Sequence, residues 1–164
     1  MSISFHQFKE HVVIPTLKYL DSEIPYSDEA VDLLMLTCGH ESKGGRFLTQ
    51  SGGGPARGVY QMEVATHNDI LDNFVQHREG LQERLHEYIP VLDHDSSYAL
   101  MGNMYYATAM ARVHYWRVKE PLPSKEVGNY LDNLGKYAKR YYNTHEGKAT
   151  ASKYVTDYLE WRDA

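Results

Sequence analysis

The sequence predicts a mainly helical domain that carries one small β hairpin. Three observations predict it. Apolar residues recur at i, i+3, i+4 and i+7 along most of the chain, the period of a helix with one buried face. Only the segment 46–62 departs from that period, and it is short, polar and rich in glycine. The chain has 164 residues, 42% hydrophobic and 24% charged, which suits a single domain over 1–164 with its own core.

In chain order, residues 4–21 read as an amphipathic helix with Phe5, Phe8, Val12, Leu17 and Leu20 on one face. Pro15 lies inside that pattern and predicts a kink or break near Ile14. Ser27 supplies an N-cap, with Asp28 and Glu29 in the first turn, for a helix over 28–42. Val59 to Met62 reads as a short extended run and ends a hairpin of two or three strands. Helical spacing resumes at Val64 (Ile70, Leu71, Phe74, Val75) and again from Glu79 to Ile89, where Pro90 closes it. Residues 97–117 are apolar on nearly every side and predict a central buried helix, with Ala107, Ala109 and Ala111 allowing close packing. Asn103 and Arg112 are the polar residues in it, read as satisfied packing groups or as a cleft floor. Ser124 is the expected N-cap of a helix over 125–142 with Val127, Tyr130, Leu131, Leu134 and Tyr137 inward. A last helix over 150–162 aligns Tyr154, Tyr158 and Trp161 at i, i+4, i+7.

The chemistry concentrates between residues 33 and 63. The stripe Val31, Leu34, Met35, Cys38 runs directly into Glu41 and Ser42. Glu41 therefore falls at the edge of a buried face, just before Gly44-Gly45 should end the helix. A negative charge there is opposed by the helix dipole. Partial desolvation should raise its pKa, and a general acid needs that to keep its proton near neutrality. A helix-end glutamate is otherwise usually an exposed one. The loop that follows, Ser51 to Gly58, holds four glycines in eight residues, a composition suited to close backbone approach to a ligand.

Glu41-Ser42, then Gln50-Ser51, then Gly58-Val59-Tyr60-Gln61 resembles the E-S…S…G-x-x-Q pattern of the lytic transglycosylases, lysozyme-like enzymes that cut peptidoglycan. Tyr142-Asn143 followed by Gly147-Lys148 is similar to that family's A-Y-N-A-G motif, although Thr144-His145-Glu146 intervenes. Glu63 stands near where the family often has proline. The Q-M-E and T-H-x-D-I pieces look like bacteriophage-encoded members. The resemblance spans roughly residues 27–160. It implies a lysozyme-like fold with the hairpin beside the cleft, and cleavage of the β-1,4 bond between N-acetylmuramic acid and N-acetylglucosamine. Glu41 would be the general acid and then the base. Ser42, Tyr60, Gln61, Tyr142 and Asn143 would bind substrate or orient the acid. A muramidase would instead need a second carboxylate, for which Glu63 is the candidate. A non-catalytic wall-binding or virion module on the same scaffold is the third reading.

Other classes find less support. The net charge is −5 with no basic stripe, unlike a nucleic-acid binder. No apolar run approaches the roughly 20 residues of a membrane span. The opening residues have no secretory pattern, so delivery to the wall is expected through a holin-type lesion or within a virion. The single cysteine, Cys38, sits on an apolar stripe and reads as core. Nine histidines include His40-Glu41 and His94-Asp95, but H-E-x-x-H and zinc spacing are absent, so neither metal nor cofactor is expected. Phosphate-loop and nucleophile-elbow patterns are missing too. Glycan strands are the expected partner.

Overall fold

The computed structural model describes residues 1–50, 52–142 and 148–164. It is mainly helical, with one small antiparallel hairpin. The first helical stretch is α1 (Phe5–Phe8), a π turn (Lys9–Val13) and α2 (Ile14–Tyr19). Pro15 has no N–H and its ring crowds the preceding turn, so the wide turn lets the chain pass it without a break. The His11 carbonyl, four residues before Pro15, instead accepts a hydrogen bond from the Tyr105 hydroxyl at 3.4 Å.

Helix α3 (Asp28–Ser42) begins where the Ser27 hydroxyl accepts the Ala30 N–H at 3.0 Å. It is enclosed more completely than a single stripe requires, because Leu33, Leu34, Met35, Leu36, Thr37 and Cys38 are all buried. Each large aliphatic among them contributes about 1.5–3 kcal/mol. The left-handed residue that ends the helix is Lys43, at φ +56°, with Gly44 and Gly45 continuing the turn. Gly44 has a second reason to be glycine: a Cβ there would sit 2.3 Å from the Trp161 indole.

The hairpin pairs β1 (Ala56–Arg57) with β2 (Met62–Glu63), and Thr49 bridges to Arg57. Val59 to Gln61, expected to be extended, form its turn instead. The Gln61 N–H returns to the Gly58 carbonyl at 3.0 Å, and Gln61 itself has φ +48°. Gly58 approaches the Leu100 carbonyl so closely that no Cβ would fit.

Helices α4 (Val64–Asn73) and α5 (Glu79–His86) follow, with a 3-10 turn (Val75–His77) between them. The expected single helix over 97–117 is divided into a 3-10 turn (His94–Tyr98), α6 (Ala99–Gly102) and α7 (Met104–Trp116). Asn103 causes the division. Its backbone is extended, its Oδ1 accepts the Tyr106 N–H, and its Nδ2 donates to the Tyr88 carbonyl at 2.9 Å. Helix α8 (Tyr130–Tyr141) starts five residues later than expected. Ser124 makes local turn bonds, Val127 is 57% exposed, and the left-handed Asn129 precedes the first turn. Helix α9 (Ala151–Arg162) is capped by Thr150 and buries Tyr154, Tyr158 and Trp161.

The core has two parts. In one, α3 packs with α8, α9 and the first helices; in the other, α4, α5 and α6 pack together. Helix α7 serves both, with Ala107, Ala111 and Tyr115 toward the first and Tyr106, Ala109, Met110 and Val113 toward the second.

Candidate active site

Glu41 occupies the last turn of α3, one residue before Ser42. Its side chain is partly buried, and Tyr154 of α9 donates its hydroxyl to Glu41 Oε1 at 3.0 Å. Burial pushes the carboxyl up to about 7, although the Tyr154 hydrogen bond pulls the other way. No hydrogen bond from the described residues reaches Oε2. While the Tyr154 hydroxyl donates to Oε1, the proton of the neutral acid sits on the other oxygen. Glu41 can therefore hold a transferable proton on Oε2 near neutral pH.

Two more phenols face the same carboxyl. Tyr115 from α7 donates to Thr37 Oγ1 at 2.8 Å, since that hydroxyl already donates to the Leu33 carbonyl at 2.7 Å. Tyr142, just past α8, donates to the Tyr60 carbonyl at 2.5 Å. Its ring stacks on Tyr115 at 5.4 Å. Burial first, and the Glu41 charge after it, raises both hydroxyls, so they remain neutral. The bond from Tyr142 also ties the hairpin turn to the surroundings of Glu41.

The residues singled out in the sequence fall into different places. Ser42 is 0% exposed. Its hydroxyl donates to the Cys38 carbonyl and accepts the Gly45 N–H at 2.8 Å, which closes the turn after α3. Ser42 thus fixes the end of the helix that carries Glu41. Tyr60 is 1% exposed, with its hydroxyl on Thr108 at 3.0 Å; it supports the site through its carbonyl, and its ring has no open face. Gln61 is half-buried and donates to the Gly58 carbonyl at 2.9 Å, so its side chain braces the hairpin turn. Glu63 is the N-cap residue of α4 in extended conformation. Asn143 and Gly147 lie outside the described residues. Asn103 proves to be a cap, and Arg112 is buried with its guanidinium 5.5 Å from the Trp116 ring.

Sequence reasoning missed His40 and Asp157, and read Tyr154 only as core. Asp157 of α9 is buried, and its carboxylate accepts from His40 Nδ1 at 2.8 Å and from Lys43 and Lys153 at 2.6 Å each. Burial alone would raise the Asp157 carboxyl, but these three donors hold it below its ordinary range. One signal was available: an aspartate three residues past Tyr154, inside an apolar helix stripe, with Lys153 at i−4. Among the described residues no group of three or more histidine, cysteine or acidic side chains could hold a metal ion, and no helix is long and apolar enough to cross a membrane.

Comparison of the chain with family models, with curated proteins and with solved structures found no match.

Proposed function

We propose that the protein degrades peptidoglycan by cutting the β-1,4 bond between N-acetylmuramic acid and N-acetylglucosamine, as a lytic transglycosylase with Glu41 as acid and base. The observation that carries this reading is the state of Glu41. It is a half-buried carboxyl with its pKa pushed up to about 7, held on one oxygen by Tyr154.

The chemistry follows from that state. Protonated Glu41 delivers its Oε2 proton to the glycosidic oxygen as the bond to the muramyl C1 breaks. The resulting carboxylate then takes the proton of the muramyl 6-hydroxyl while that oxygen bonds to C1. A 1,6-anhydro ring forms, no water is consumed, and the acid is regenerated. The sugar's own acetamido group stabilises the oxocarbenium-like centre, so one carboxylate is enough. The influences on the Glu41 carboxyl support a one-carboxylate route, because burial and a phenol act on it and no second acid among the described residues does.

Mass spectrometry of the muropeptides released from purified peptidoglycan tests the proposal. Anhydro-terminated products are expected. Reducing-end products, heavier by one water, would replace the transglycosylase with a hydrolase, and the absence of any product would remove the enzymatic reading.

A further inference from the structure

We propose that His40, anchored by Asp157, is a positioning residue that holds the Tyr154 ring so that its hydroxyl stays on Glu41; the proposal rests on the reading of Glu41 as the acid. The imidazole and the phenol ring face each other with centroids 3.9 Å apart and planes inclined by 31°. The far end of the phenol reaches Glu41 Oε1 at 3.0 Å. The near edge of the imidazole is fixed by Asp157 Oδ2 at 2.8 Å. An ionised carboxylate only accepts, so His40 carries its hydrogen on Nδ1.

The arrangement is built from two helices. α3 supplies His40 and Glu41 as neighbours, and α9 supplies Tyr154 and Asp157 three residues apart on one face. A buried carboxylate is costly unless it is paired. Asp157 has three donors, and His40 is the most enclosed of them, its side chain 12% exposed against 39% for Lys43 and 51% for Lys153. The lysines therefore neutralise the aspartate from the solvent side, and the imidazole transmits its position inward to the phenol. Burial lowers the His40 pKa, against the opposing pull of Asp157, so the stacked ring is neutral and places no cation against the acid. Among the described residues, the titratable groups that face Glu41 are Tyr115 from α7, Tyr142 beyond α8 and Tyr154 from α9, and of these Tyr154 donates to it.

The test follows the titration of the Glu41 side-chain carboxyl by carbon-13 NMR, which needs no substrate. Tyr154→Phe removes a hydrogen bond that favours the ionised form, so the Glu41 midpoint should rise by about one pH unit. His40→Leu keeps the volume but loses both the flat ring and the Asp157 anchor, and should move the midpoint in the same direction. The double variant should move it no further than Tyr154→Phe alone. His40→Phe restores a ring face and should return the midpoint toward wild type. A wild-type midpoint in His40→Leu, or two fully additive shifts, would overturn the proposal. His40→Met gives the same reading if His40→Leu does not fold. Lysis assays on Glu41→Gln run alongside. Activity retained by Glu41→Gln would end the acid assignment, whereas an unmoved titration in His40→Leu would end the positioning role alone.

Discussion

The two sides of α7 bury ionisable groups in opposite ways. On the α4 side, His67 is fully buried, and both of its nitrogens are occupied. Nδ1 donates to Asn68 Oδ1 at 2.9 Å, and Nε2 accepts the Tyr106 hydroxyl at 2.7 Å. Burial lowers its pKa, and it stays neutral in a closed pair of bonds. On the α3 side, Glu41 has one oxygen on Tyr154, while the other receives no hydrogen bond from the described residues. A buried group with every valence answered is architecture. A carboxyl answered at one oxygen and partly open at the other can exchange a proton with something else. The difference in satisfaction, more than in burial, separates a structural group from a chemical one.

The sharpest way to break this contrast is Glu41→Gln. The amide keeps the shape and can still accept from Tyr154, but it has no acidic proton. Lysis of permeabilised cells, followed by turbidity, should fall by at least about a hundredfold. A variant that keeps a tenth of the activity would make Glu41 as structural as His67.

Stability should respond in the opposite sense. The folded state binds the Glu41 proton more tightly than the unfolded chain, since the pKa rises from an ordinary 4.5 to about 7. The fold is therefore unpenalised below pH 4.5, loses stability as pH climbs toward 7, and carries the whole penalty above it. Glu41→Gln should then stabilise the protein by roughly 3 kcal/mol at pH 8 and by little at pH 4. Urea unfolding at the two pH values measures this; equal stabilisation at both would contradict it. Wild-type activity should likewise decline as pH rises through about 7, because the acid loses its proton.

Tyr106→Phe probes the other side. It leaves His67 Nε2 buried without a donor and should cost about 1–3 kcal/mol. The alkaline limb of activity should not move. A shifted limb would mean that the two sides communicate through α7.

The smallest effect expected is that of Glu63→Gln. Glu63 begins α4, and one charge at a helix start contributes about 0.3–1 kcal/mol. The products should stay anhydro-terminated, with the rate within a few-fold of wild type. Reducing-end products abolished equally by Glu41→Gln and Glu63→Gln would make Glu63 a catalytic partner.

What the sequence made legible was periodic or local. The Ser27 cap, the apolar run ahead of Glu41, the buried 97–117 segment and the Tyr154–Tyr158–Trp161 stripe are patterns within one element. The misreadings came where a side chain competed with a backbone pattern. Asn103 divides a helix because its amide caps one turn and ties down Tyr88. The G-V-Y-Q run looks like a strand but turns, because Gly58 and Gln61 both accept positive φ. Ser42, next to the acid in sequence, faces the helix end, since one residue rotates a helix by about 100°. Tyr154 and Asp157 did not read as site residues because Glu41, His40 and Lys43 are far away in the chain and only the packing of α9 on α3 joins them, which left Lys153 as the one local cue.

That junction has a consequence for how the protein is made. The bond between Tyr154 and Glu41 spans 113 residues, and α9 emerges from the ribosome after every other described helix. At about 5–20 residues per second, the helix bearing Glu41 waits on the order of ten seconds for its phenol. During that interval the carboxyl has no Tyr154 to orient it and no α9 to enclose it. A nascent chain thus leaves Glu41 unoriented until α9 docks, so the assembly of the fold itself sets the moment at which this carboxyl gains its phenol.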